Sequence, residues 1–123
     1  MNFELSEEQK MIQQNVERFV QDNYDLPKRV ELSSQDPGYS KDYWNSMAEL
    51  GWLGLPFNEE DGGFGGNQID TLVIMEQFGK GLVLEPFLAN VVLGGGAVQM
   101  GGSEELKNEM LSSLIEGSKQ LTL

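Results

Sequence analysis

Apolar residues recur at helical spacing through most of this chain, interrupted where glycine and proline gather. The first stretch places Ile12, Val16, Phe19 and Val20 on one face. Ser6 and Gln9 stand at capping-box spacing just ahead of it, so the pattern predicts a helix opened at Ser6 and closed near Asn23. A short helix or turn over 27–32 follows, with proline in its first turn. Residues 33–38 form a loop on turn chemistry. Ser40 caps a helix over 41–50 with the apolar stripe Trp44, Met47 and Ala48, and Gly51 stops it. Residues 52–66 hold Pro56 and the glycines 62, 63, 65 and 66, which predicts irregular structure. From Asn67 or Gln68 the periodicity resumes, with Ile69, Leu72, Val73 and Glu76 on one side and an end near Phe78–Gly79.

The stretch 86–100 (PFLANVVLGGGAVQM) is apolar nearly all round and predicts a buried helix. Its glycines at 94–96 each cost about 1 kcal/mol against alanine in a helix interior, so close packing of another backbone or of a ligand must offset them. Ser103 caps a last helix whose Glu104 and Glu105 suit the positive end of its dipole. Leu106, Met110, Leu111, Leu114 and Ile115 form its buried face, and Gly117 ends it. The fold class is all-α, a compact bundle of five to six helices, in one domain over 1–123. The tail SKQLTL reads as an extended segment just beginning, so the chain is expected to be cut.

Composition narrows the chemistry. There is no cysteine and no histidine, which removes disulfides, thiolate catalysis and the commonest base and metal ligand. A net charge of −12, from 20 acidic and 8 basic side chains, disfavours nucleic acid, anionic membranes and unaided phosphate binding. No run of about 18 apolar residues is present, so no transmembrane helix is predicted, and the acidic opening lacks a signal-peptide core. A cytoplasmic location is expected.

Four features could carry function. The loop DGGFGG invites a phosphate-cradle reading, but it has no Walker lysine and follows acidic residues 59–61, so a tight structural loop is expected. Glu76, on a predicted apolar face, reads either as a general base or as a buried carboxylate paired structurally, with Arg18 one conceivable partner. The acidic pairs Glu7-Glu8 and Glu104-Glu105 and the run 59–61 sit at helix starts or in a loop, which explains them without a metal. The aromatics Trp44, Trp52, Phe57 and Phe64 are expected to be core or domain-contact anchors rather than a flavin platform. The apolar stretch 86–98 is either a plain buried helix or one wall of a cleft for an acyl chain, with Leu93 or Val92 setting its depth.

The ordered segments FELSEEQKMIQQNVERFV, WNSMAELGWLGL, EEDGGFGG, VIMEQFGKGLVLEPF and GGSEELKNEMLSSLIEG resemble, over nearly the whole chain, the N-terminal helical domain of acyl-CoA dehydrogenases. VLEPFLANVVLGG is similar to a bacterial branch of pimeloyl-CoA dehydrogenase type, in which one subunit works beside a related second subunit. The resemblance implies a parent with a middle β-domain and a C-terminal helical bundle, both absent here. Those domains are implied to hold most of the FAD, supply the base and build a homo- or hetero-oligomer. The implied reaction oxidises an acyl-CoA to the 2,3-enoyl-CoA. This chain is then one wall of the acyl pocket, through Pro86, Ala89, Asn90 and Leu93, with no catalytic residue, no metal and no FAD of its own. Proline at 86 and the triple glycine depart from commoner versions of the family, which leaves chain length open. Within the same fold, an acyl-CoA oxidase or flavin monooxygenase is the alternative. A stand-alone helical interaction module is the alternative of a different class.

Overall fold

The structure, a computed structural model, describes residues 2–122. It is all-helical, with no strand among the described residues. Six α-helices appear: α1 (Glu7–Asn23), α2 (Leu26–Ser33), α3 (Lys41–Glu49), α4 (Gln68–Gly81), α5 (Gly96–Gly101) and α6 (Glu104–Ile115). Two single 3₁₀ turns, Trp52–Gly54 and Glu59–Asp61, lie in the stretch expected to be irregular. The last residue of the predicted extended tail, Leu123, lies outside the described residues.

Local chemistry sets the helix starts. Ser6 Oγ accepts from Gln9 N–H at 3.1 Å while Gln9 Oε1 accepts from Ser6 N–H at 3.0 Å, completing the predicted capping box. Asp25, Ser40 and Ser103 each accept from a first-turn backbone N–H to open α2, α3 and α6. Gly51 and Gly117 follow the C-caps of α3 and α6 with φ of +82° and +80°, the left-handed stops read from the sequence.

The chain forms two compact units. The first comprises residues up to Tyr39 together with Gln68–Leu84. In it α1 and α4 run side by side in the same direction. Their starts are joined by Gln9 Nε2, which donates to Asp70 Oδ1 at 2.9 Å. At their ends Val20 fills the space a Cβ on Gly81 would need. Val16 and Val20 face Val73, Ile74 and Phe78 in its core, and Ile12 and Phe19 are half-buried. Arg29 Nε donates to Leu82 O at 2.8 Å, and Leu84 N–H donates to the Tyr24 hydroxyl at 3.3 Å.

The buried stripe of α4 differs from the predicted one by a single step around the helix. Val73, Ile74, Gln77 and Phe78 point inward, whereas Ile69 and Leu72 are 50% and 64% exposed. Glu76 therefore faces solvent and pairs with Lys80 at 3.5 Å, one turn along the same helix. Neither a buried general base nor a buried pair with Arg18 is present. The reason is that α4 is apolar on two sides, and packing against α1 selects the side holding Phe78.

The second unit comprises Ser40–Asn67 together with Glu85 onward. Trp44, Met47, Trp52, Leu53, Phe57, Phe87, Val91, Leu111 and Leu114 are its buried apolar side chains. Phe64, the fourth of the aromatics expected to be core or domain-contact anchors, is 60% exposed and so lies outside the core, with its ring edge over Gly51 and Gly54. The helix after Pro86 is not buried all round. Leu88, Leu93 and Met100 are 50%, 46% and 90% exposed, while Phe87, Asn90, Val91, Gly94 and Gly95 face inward. Its first part, Leu88–Gly95, is π-helical and continues directly into α5.

Candidate functional site

A π-helical turn bonds each amide one residue further back than an α-turn does, so it is wider and makes poorer contact along its axis. Such turns persist only where their surroundings determine them. Here three inward neighbours do so. The Asn90 side chain is only 2% exposed, and its Oδ1 accepts the backbone N–H of Leu121. A Cβ on Gly94 would lie 2.7 Å from Leu121 Cβ, and one on Gly95 would collide with the Phe57 ring. The chain's own Leu121 and Phe57 thus occupy the room that two of the three glycines leave. At Gly96 nothing lies within 4 Å of the missing Cβ.

This packing divides the predicted wall residues. Ala89 and Leu93, one wide turn apart, are exposed on the outer face. Pro86 is half-buried ahead of the helix. Asn90 points the other way, toward the C-terminal segment. Beside that segment lies an open-sided apolar groove of about 350 Å³, lined by Gly94, Ala97, Val98, Leu106 and Leu121 among others. None of the four predicted residues lines it.

Glu85, not singled out in the sequence, is the other organised polar group nearby. It is 5% exposed, and its Oε2 accepts the N–H of Ser40 at 3.1 Å. Ser40 is itself the N-cap of α3, so one buried carboxylate fixes both the entry to α3 and the residue before Pro86. The sequence held only a weak signal for this, an acidic residue inside an apolar run.

The glycine-rich loop has no donors to spare for a phosphate. The amides of Gly62, Gly63, Phe64, Gly65 and Gly66 donate to the carbonyls of Glu59, Asn58, Gly54, Phe57 and Leu55, at 2.7–3.1 Å. The Asn58 amide donates to Gln99 Oε1 at 2.9 Å. Gly63 also abuts the Phe57 carbonyl so closely that a Cβ would overlap it. Its glycines allow close backbone approach and leave no nest for an anion. Among the described residues no cluster of three or more carboxylates is placed to hold a metal ion. No described helix is long and apolar enough to cross a membrane.

A family model described as "Acyl-CoA dehydrogenase, N-terminal domain" matches residues 6–118. The chain belongs to this family. Among curated relatives, "Probable acyl-CoA dehydrogenase YngJ" of Bacillus subtilis is 34% identical over 120 residues, which are 96% of this chain and 31% of that protein. This acyl-CoA dehydrogenase domain therefore spans about a third of the length of that relative. Among solved structures, the ChsE4–ChsE5 complex from Mycobacterium tuberculosis contains a chain that superposes with a TM-score of 0.91 at 25% identity, over 99% of this chain and 34% of that one. The acyl-CoA dehydrogenase of Bacillus anthracis solved with FAD superposes with a TM-score of 0.83 at 29% identity, over 96% of this chain and 21% of that one.

Proposed function

We propose that this domain serves within an FAD-dependent enzyme that oxidises an acyl-CoA to the 2,3-enoyl-CoA, and that it supplies one wall of the acyl pocket. The observation that carries this reading is the family match over residues 6–118. The outward apolar pair Ala89 and Leu93, with Pro86 ahead of them, supports the wall assignment. Asn90 serves that wall from behind.

FAD, when bound in the parent enzyme, would supply the acceptor for the hydride from the substrate's β-carbon, and a base would take the α-proton. Among the described residues, this domain offers no buried carboxylate free to act as that base. Its only buried carboxylate, among the described residues, is Glu85, which is committed to the Ser40 amide. Its glycine loop cannot hold a pyrophosphate, and its net charge of −12 opposes the phosphates of CoA and FAD alike. Its own residues orient the acyl chain and exclude water, while a middle β-domain and a C-terminal helical domain hold the flavin and the base. Leu26 and Val30, one turn apart on α2, and Ile69 and Leu72 on α4 are exposed apolar side chains that further protein could cover. A related second subunit fits the same picture, because a structural relative was solved as the two-protein ChsE4–ChsE5 complex.

The test is an assay of the full-length gene product, loaded with FAD, against saturated acyl-CoAs of graded length with an artificial electron acceptor. Formation of 2,3-enoyl-CoA is expected. Stoichiometric hydrogen peroxide without need of the acceptor indicates the oxidase alternative. No oxidation of any thioester contradicts the reading.

A further inference from the structure

We infer that Asn90 is a positioning residue that fixes the wide-turn register of Leu88–Gly95 and thereby sets how deep an acyl chain can reach. This rests on the pocket-wall reading above. The argument begins with geometry. Ala89 and Leu93 are both exposed on the outer face of the π-helical segment, and positions four apart share a face in an α-helix as well. What the register sets is the direction of Leu93: an α-turn advances each side chain by a larger angle than a π-turn, so relaxation to α would turn Leu93 around the axis relative to Ala89 and move it along the wall.

What resists that relaxation is the inner face. Gly94 and Gly95 permit either register by themselves, and their lack of a Cβ only makes room. A directional constraint has to come from a hydrogen bond. Asn90 supplies it, because its Oδ1 accepts from the Leu121 amide while its side chain is 98% buried. Leu121 Cβ then seats over Gly94, and the Phe57 ring seats against Gly95. Rotation of the segment would pull Asn90 from Leu121 and strand a buried amide and a backbone N–H together, each costly to leave unpaired. The segment at 118–122 is therefore a strap whose attachment is read out on the opposite face of the helix, as the position of Leu93.

The prediction separates positioning from mere stability. Loss of folded enzyme lowers turnover of every substrate by one factor, whereas a moved wall changes the ratio between substrates. In the FAD-loaded full-length gene product, Asn90→Leu is expected to change the ratio of kcat/KM for long against short acyl-CoAs. A change of about tenfold or more is the size that one methylene of pocket depth produces. Asn90→Asp keeps the acceptor oxygen and, although burying a carboxylate lowers stability, is expected to retain the wild-type ratio. Leu121→Pro removes the donor from the other side and is expected to mimic Asn90→Leu, which covers the case that the latter fails to fold. Crystal structures of the same variants give a readout independent of turnover: Leu88–Gly95 is expected to become α-helical in Asn90→Leu and in Leu121→Pro, and to stay π-helical in Asn90→Asp. A π-helical segment in both Asn90→Leu and Leu121→Pro overturns the inference, as does an equal loss across all chain lengths. If the wild-type protein oxidises no acyl-CoA, the functional reading fails, and the crystal structures still decide the register.

Discussion

The Glu85 carboxylate accepts a hydrogen bond from the Ser40 backbone N–H at 3.1 Å, joining positions 45 residues apart. Both ends matter, because Ser40 opens α3 and Glu85 directly precedes the proline that leads into the π-helical segment. Glu85→Ala leaves that half-buried amide without its acceptor. A loss of about 1–3 kcal/mol is expected, the cost of leaving a donor unsatisfied away from water. Glu85→Gln keeps an acceptor and should cost clearly less. Urea unfolding of the three proteins checks the order; equal midpoints for wild type and Glu85→Ala contradict it.

Neighbouring glycines should respond in opposite directions. Gly95→Ala drives a methyl into the buried Phe57 ring and is expected to cost about 1–3 kcal/mol by overpacking. Gly96→Ala has open space and a helical φ of −59°, so it is expected to stabilise by about 0.5–1 kcal/mol. Thermal melts of the pair provide the comparison. Similar shifts for both would mean that Phe57 does not hold the position described.

Glu76→Gln tests the corrected face of α4. Its pairing with Lys80 at 3.5 Å is exposed on both sides, so removal is expected to change stability by no more than about 0.5 kcal/mol. Gln77→Glu, one residue along and 2% exposed, puts a charge in the core and should destabilise far more. A large effect at Glu76 and a small one at Gln77 would restore the stripe first read from the sequence.

Leu82 is the one described residue other than glycine with positive φ, at +53°. It ends α4, with Val83 N–H donating to Phe78 O at 3.0 Å, the long bond of a left-handed helix stop. Leu82 is more than half exposed, so little burial is lost on shortening it. Leu82→Gly is expected to stabilise by up to about 1 kcal/mol, the left-handed strain exceeding the entropy lost. A lower melting temperature for this variant would show that Leu82 makes contacts which outweigh its backbone strain.

The parts legible in the sequence were those set by a few adjacent residues. Ser6 with Gln9, Ser40, Ser103, Gly51 and Gly117 act within one turn of chain, and all stand where expected. The face of α4 was not legible, because Ile69 and Leu72 compete with Ile74 and Phe78 and only packing decides. The i,i+4 spacing of Glu76 and Lys80 was the available clue to its solvent side. The π-helical register left no mark either. It depends on Asn90 meeting Leu121 and on Gly95 meeting Phe57, contacts that composition and periodicity do not encode. Gly94 and Gly95 did announce close packing, against this chain's own Leu121 and Phe57, whereas Gly96 has nothing within 4 Å.

The measurement that tests the central claim most directly is photolabelling of the FAD-loaded full-length gene product with an acyl-CoA bearing a diazirine at the far end of its chain. Peptide mapping is expected to place the adduct within residues 86–93, on Ala89 or Leu93, and excess unlabelled acyl-CoA should abolish it. An adduct that competes away but lies wholly outside this domain would show that these helices do not line the pocket.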